Sequence, residues 1–175
     1  MKKPASALPA SDAVPPGSAR TAPDYQGITD HPMHYFAAIV RQNQLNLSHV
    51  LRPLGLSVPQ WRVLSALAIR DGQTVGQIAE FAVLDRSGLG RLLEQMGREG
   101  LVERTVSPDD RRAVLIRLSA AGRRRRAAAL PAVVMHYRRL LRGISGAEFK
   151  SLMALLRRLK ANALMMSDVS LLSGK

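Results

Sequence analysis

Apolar residues recur at helical spacing over most of this chain, and shorter β-branched runs interrupt them after residue 100. The first helical pattern starts near Asp30, which can cap a helix, and ends where Pro53 and Gly55 would stop one. Pro32 suits the first turn. The apolar positions of this pattern are Phe36, Ile39, Val40, Leu47, Val50 and Leu51. Their spacing predicts an amphipathic helix.

Capping boxes predict the start of three further helices. In each box a Ser or Thr precedes a Gln or Glu by three residues, so that each side chain can bond the other residue's backbone amide. The pairs are Ser57 with Gln60, Thr74 with Gln77, and Ser145 with Glu148. The predicted inward positions are Trp61, Leu64, Leu67 and Ala68 in the second helix, and Val75, Ile78 and Ala79 in the third.

A helix-turn-helix followed by a β-hairpin is predicted in the middle of the chain. Asp85 can cap a helix that Gly100 would end, and residues 82–84 join it to the preceding helix. Its apolar positions are Leu89, Leu92, Leu93 and Met96. Residues 101–106 and 113–118 are short and branched, with turn-forming residues between them, which is typical of a hairpin. A hairpin in this place is a wing.

Two long helices are predicted after the wing. One begins at Ser119 and continues past Pro131, and the other carries a stripe of leucines. The stripe consists of Leu152, Leu155, Leu156 and Leu159. Because only the first helix is an obvious partner for it within the chain, we expect a second copy of the chain to cover it.

These patterns predict a mainly α fold with a small β-wing. A winged helix-turn-helix lobe covers residues 57–118, and dimerisation helices cover residues 29–56 and 119–170. Residues 1–28 are rich in Pro, Ala and Ser and nearly neutral, so we expect a disordered tail.

Composition points to an anionic partner. The chain has 26 Lys plus Arg against 13 Asp plus Glu, a formal net charge of +13, and 21 of the basic residues are arginine. The guanidinium group pairs with phosphate through two parallel hydrogen bonds, so the excess favours nucleic acid. Surface solubility, or a genome that prefers arginine codons, would explain the same excess.

Missing residue types and motifs exclude several functions. The chain has no cysteine, which rules out disulfides, thiolate metal sites and thiol-based redox sensing. No apolar run approaches the ~20 residues that cross a bilayer, and no secretory signal is recognisable, so we expect a cytoplasmic protein without a membrane partner. The four histidines lack metal-ligand spacing, and no nucleophile–base pair or phosphate-cradling motif occurs. We therefore expect no enzymatic activity, cofactor or metal.

The predicted recognition helix carries the first set of candidate DNA contacts. Arg86, Ser87, Gly90 and Arg91 lie off its apolar stripe in the first two turns, the part that usually meets base edges. Gly88 and Gly90 are poor helix formers. Their presence fits either close approach of the backbone to DNA or relief of crowding against a neighbouring helix.

The predicted wing carries the second set. Arg111 and Arg112 lie at the turn, where they can reach a minor groove. Asp110 can hold the Arg112 side chain in one rotamer, although a weak surface ion pair in a solvated turn is the alternative. Four consecutive arginines, residues 123–126, follow the wing, and some of them could bind flanking phosphates.

The wing sequence SPDDRRAVLIRLS, residues 107–119, resembles the signature of the MarR family of winged-helix repressors: Asp-x-Arg, five residues, then Leu-Thr or Leu-Ser. Upstream, Asp85-Arg86-Ser87 and Gly100-Leu101-Val102 are similar to that family's recognition helix and its exit. The resemblance covers roughly residues 30–166. It implies a homodimer, a pseudo-palindromic site on double-stranded DNA, and release by a small aromatic or phenolic ligand. It also implies that Arg112 enters the minor groove and that Asp110 orients it.

An effector crevice is implied between the dimerisation helices and the DNA-binding lobe. The candidate liners are His34, Arg41, Asn46, His49, Trp61 and Arg62. Histidine and arginine could hold a carboxylate or phenolate, and tryptophan could stack on an aromatic ring. The alternative is that Trp61 belongs to the core and Arg62 to the surface. A DNA-binding regulator without an effector, or an architectural protein, is the alternative function.

Overall fold

The computed structural model describes residues 27–28, 31–108, 110 and 112–166, and the chain divides into two units, Met1–Val40 and Arg41–Lys175. In chain order, the elements are α1 (Pro32–Leu51), a 3-10 turn (Arg52–Leu54), α2 (Val58–Ile69), α3 (Val75–Ala82), α4 (Arg86–Arg98), β1 (Val102–Val106), β2 (Val114–Leu118), α5 (Ala120–Leu140) and α6 (Gly146–Met165). This order confirms the predicted mainly α fold with a β-wing. The predicted Asp30 cap and the predicted disordered tail, apart from residues 27–28, lie outside the described residues.

Local signals determine where the helices begin. All three predicted capping boxes are present, with both reciprocal hydrogen bonds in each. The α2 box joins the Ser57 amide to Gln60 Oε1 at 2.9 Å and the Gln60 amide to Ser57 Oγ at 3.3 Å. After α4, Gly100 adopts a φ of 68°, a left-handed conformation that glycine tolerates best. The predicted stop at Gly100 is therefore confirmed.

The core of the second unit surrounds α2. Helices α3, α4 and α5 and strand β2 all pack on it, so it is buried on several sides instead of along one stripe. Trp61, Leu64 and Leu67 are buried as predicted, together with other α2 residues. Ala68 is exposed, so its assignment to the buried face was wrong. A single-stripe pattern cannot identify the inward positions of a helix that has neighbours on several sides.

The wing is an antiparallel pair in which Val102 faces Leu118 and Val106 faces Val114. Its base is tied to the rest of the lobe by hydrogen bonds. Asp71 Oδ1 accepts from the Leu118 amide at 2.8 Å, and Gln73 exchanges two backbone hydrogen bonds with Ile116. These bonds give the wing a fixed origin beside α5.

Helix α6 differs from the others because none of its described residues is buried. Its exposed apolar side chains include Phe149, Leu152, Leu155 and Leu159. Within the described residues, none of the helices combines the length and apolar character that a membrane crossing requires.

Candidate nucleic-acid interface

The turn between α3 and α4 sets the direction of the recognition helix. Val83 adopts a left-handed conformation there, with a φ of 52°, although it is β-branched and the side chain is 78% exposed. Arg62 on α2 donates from Nη1 to the Val83 carbonyl oxygen at 3.4 Å. The Arg62 side chain therefore supports a strained turn from the adjacent helix.

Asp85 caps the N-terminus of α4 through two hydrogen bonds with Ser87. Asp85 Oδ1 accepts from the Ser87 amide at 3.4 Å, and the Ser87 hydroxyl donates to the second carboxylate oxygen. The side-chain bond, followed by the backbone bond, lowers the pKa of Asp85 below its ordinary 3.8. The Ser87 hydroxyl hydrogen is thus engaged in the cap, and the lone pairs of its oxygen can still accept a further hydrogen bond.

Helix α4 presents opposite faces to the core and to solvent. Its buried residues are Leu89, Leu93 and Met96. Arg86, Ser87 and Arg91 are exposed, and Gly90 is half-buried. A methyl group added at Gly88 or Gly90 would meet no atom within 4 Å, so relief of crowding against a neighbouring helix is the wrong explanation for these glycines. The open space fits close approach of an external partner.

At the wing tip, the Asp110 side chain accepts a hydrogen bond from the backbone of Arg112 and does not contact the Arg112 guanidinium. Asp110 Oδ1 accepts from the Arg112 amide at 2.9 Å, and the Ala113 amide donates to the Asp110 carbonyl oxygen at 2.9 Å. No ion pair joins the two side chains of these described residues. Arg112 is exposed, and Arg111 lies outside the described residues. Contrary to the sequence prediction, Asp110 therefore stabilises the backbone of the turn and does not fix the rotamer of the Arg112 side chain.

The arginine run of residues 123–126 largely braces the fold. Arg123 Nη2 lies 3.6 Å from Asp71 Oδ2, and Arg126 stacks over the Trp61 ring at 5.9 Å from its centroid. Arg125 Nη1 donates to the carbonyl oxygen of Leu54, at the end of the 3-10 turn, at 3.3 Å and to that of Gly55, the next residue, at 3.4 Å. Sequence reasoning missed these roles because each partner lies more than 50 residues away along the chain.

A separate cavity of about 350 Å³ lies between the second half of α1 and the end of α5. It is lined by Asn46, His49, Val50, His136, Arg139 and Leu140. His136 Nε2 donates to Asn43 Oδ1 at 2.7 Å, which links the two helices beside it. Two predicted liners, Asn46 and His49, are present, whereas His136 and Arg139 were missed because nothing local connects α5 to α1.

The other predicted effector residues lie elsewhere. Trp61 is buried beneath Arg126, and Arg62 bonds the α3–α4 turn. Arg41 is exposed on α1. His34, in the first unit, is exposed and its ring contacts Tyr35 edge-on with centroids 5.7 Å apart. Within the described part of the chain, no cluster of three His, Asp or Glu residues could hold a metal ion.

Comparisons with known proteins agree with this architecture. A family model described as the MarR family matches residues 54–113. The HTH-type transcriptional repressor IacR of Pseudomonas putida is 28% identical over 93 residues, which span 53% of this chain and 56% of IacR.

Two solved structures resemble the fold over most of its length. A MarR-family transcriptional regulator from Silicibacter pomeroyi is 30% identical with a TM-score of 0.70, and the match covers 78% of this chain and 92% of that one. CouR from Rhodococcus jostii RHA1, solved with p-coumaroyl-CoA bound, is 26% identical with a TM-score of 0.69, and the match covers 77% of this chain and 95% of CouR. The Silicibacter pomeroyi protein is a transcriptional regulator and IacR is a transcriptional repressor. The chain belongs to the MarR family of transcriptional regulators.

Proposed function

We infer that this chain is a homodimeric repressor that binds a pseudo-palindromic site on double-stranded DNA and is released by a small aromatic or phenolic acid. The observation that carries this proposal is the pairing of two exposed basic elements on one lobe. The first two turns of α4 expose Arg86 and Arg91, and the wing exposes Arg112 at its tip. A helix of this kind fits a major groove, and a wing arginine fits the adjacent minor groove.

The unburied surface of α6 supports the homodimer. Phe149, Leu152, Leu155 and Leu159 are 39–54% exposed and lie about one turn apart along the helix. Contiguous apolar surface of this kind marks a protein interface. In a two-fold dimer that buries this surface of α6, the two copies of α4 would bind two half-sites about 34–36 Å apart, which is one turn of DNA.

The cavity between α1 and α5 supports an anionic effector. His49 and Arg139 supply hydrogen-bond donors, while Val50 and Leu140 supply apolar walls. A carboxylate or phenolate on an aromatic ring matches both features. CouR was solved with p-coumaroyl-CoA, an aromatic acyl thioester, which agrees with an aromatic ligand for this chain.

The proposal is tested by titrating the full chain against labelled DNA from upstream of its own gene. We expect tighter binding to this duplex than to an unrelated one of the same length. We also expect one or more members of a panel of benzoic, hydroxybenzoic and hydroxycinnamic acids to release it. In Arg139→Ala, DNA binding should persist while release needs a higher acid concentration. Binding that no acid reverses would overturn the effector part and favour the regulator without an effector.

A further inference from the structure

A basic cleft lies between the second half of the recognition helix α4 and strand β1 of the wing. It has a volume of about 450 Å³ and is lined by Leu93, Glu94, Gly97, Arg98 and Arg104. Arg98 lies in the last turn of α4, whereas Arg104 lies at the centre of β1. Two arginines from different elements therefore border one opening, and neither is among the predicted base contacts Arg86, Ser87, Gly90 and Arg91.

The strand register explains why Arg104 borders the cleft. Arg104 pairs with Ile116, and residues directly opposite in an antiparallel pair project from the same face. Ile116 is fully buried, so this face is the one turned toward the core and α4. Arg104 is nevertheless exposed, which indicates that its stem covers apolar surface while its charged end reaches solvent.

Neither arginine is neutralised by the protein. Arg123 and Asp71 form the only ion pair in which both partners are described residues, so Glu94 forms no pair with Arg98 or Arg104 although it lines the same cleft. Two positive charges against one negative charge leave the cleft with a net attraction for an anion. A methyl group added at Gly97 would meet no atom within 4 Å, so the cleft is open at this position as well.

We propose that Arg98 and Arg104 clamp a phosphate of the DNA strand that runs between the two grooves. The proposal rests on the proposed function, in which α4 enters a major groove and the wing enters the adjacent minor groove. The sugar–phosphate strand that separates those grooves must then pass between α4 and the wing, where this cleft lies. Phosphate contacts of this kind set the register of the protein on the duplex and carry no sequence information.

Salt dependence of DNA binding tests the clamp. Arg98→Gln and Arg104→Gln keep most of each side-chain stem and remove the charge, and Arg142→Gln removes an equal charge from an exposed position after α5. Binding of the full chain to its upstream duplex and to an unrelated duplex is measured over a series of salt concentrations. Thermal unfolding of each variant confirms that the fold is retained.

We expect Arg98→Gln and Arg104→Gln each to lower the affinity for both duplexes by the same factor, on the order of tenfold, as for loss of one charge-assisted hydrogen bond. The negative slope of log K against log salt concentration should become less steep by about 0.9 for each chain bound. Glu94→Gln should strengthen binding to both duplexes. The clamp would be overturned if the cleft variants bound DNA as Arg142→Gln does, or if they lost affinity only for the upstream duplex. Either result would leave the proposed function standing. A wild-type chain that binds neither duplex would overturn the proposed function and the clamp with it.

Discussion

The carboxylate of Asp110 accepts a hydrogen bond from the backbone amide of Arg112 at 2.9 Å and makes no ion pair with its guanidinium. An aspartate that bonds the amide two residues on stabilises a turn in the way a backbone carbonyl would. Asp110 therefore fixes the backbone position of Arg112, from which its side chain extends. The guanidinium keeps its hydrogen-bond donors for a partner.

This geometry predicts a difference between two substitutions of Asp110. Asp110→Asn retains an oxygen that can accept from the Arg112 amide, so DNA affinity should stay within about threefold of wild type, a difference below 1 kcal/mol. Asp110→Ala removes the acceptor and should weaken binding by about tenfold. Fluorescence anisotropy of a labelled duplex measures both. If Asn weakens binding as strongly as Ala, the negative charge matters and the backbone lock is wrong.

Relief of strain at Val83 is the second prediction. Val83→Gly removes a β-branched side chain from a left-handed conformation and sacrifices little burial, because the residue is 78% exposed. Strain of about 1–3 kcal/mol should outweigh the entropic cost of glycine, so the free energy of unfolding should rise by about 1 kcal/mol. Urea denaturation measures this change. A loss of stability would show that the Val83 side chain contributes contacts that outweigh the strain.

Substitution of the α4 glycines should separate stability from DNA binding. Gly88→Ala and Gly90→Ala meet open space and improve helix propensity, so each should stabilise the fold by up to about 1 kcal/mol. If DNA approaches this face, the added methyl groups should lower affinity for the duplex. Gly146→Ala, at the start of α6, is the matched control because its added methyl group also meets no neighbouring atom. Unchanged affinity in both α4 variants would argue against close approach.

Acid should weaken the start of α4. Hydrogen bonds from Ser87 lower the pKa of Asp85, and a carboxyl group with a lowered folded pKa stabilises the fold above its unfolded pKa. That contribution is lost as the pH falls from the ordinary value of 3.8 through the lowered one. Ser87→Ala should therefore lower the thermal midpoint at neutral pH, and the difference from wild type should shrink in acid. A difference that does not change with pH would contradict this account.

Features encoded within a few residues were predictable from the sequence, and features made by distant residues were not. The capping box of Ser57 and Gln60 involves neighbours three apart, so its helix start could be located in advance. The bond between His136 and Asn43 spans 93 positions, and the Arg125 contact with Leu54 spans 71. Such contacts depend on helix packing, which apolar spacing alone does not specify.

The same limit applies to the candidate sites. The exposed face of α4 and the wing arginine follow from local pattern, so the predicted DNA contacts Arg86, Arg91 and Arg112 lie on solvent-facing elements. The α1–α5 cavity and the cleft beside Arg104 each form where separate elements meet, and neither could be outlined from the sequence.

The central claim is that α4 and the wing together read duplex DNA, and binding of the upstream duplex by Arg112→Ala tests it most directly. The full chain is titrated as wild type, as Arg112→Ala and as Arg142→Ala, with thermal unfolding measured for each. We expect wild type and Arg142→Ala to bind alike, and Arg112→Ala to bind at least about tenfold more weakly with an unchanged fold, as for loss of one charge-assisted contact. Equal affinity of Arg112→Ala and wild type would contradict the claim.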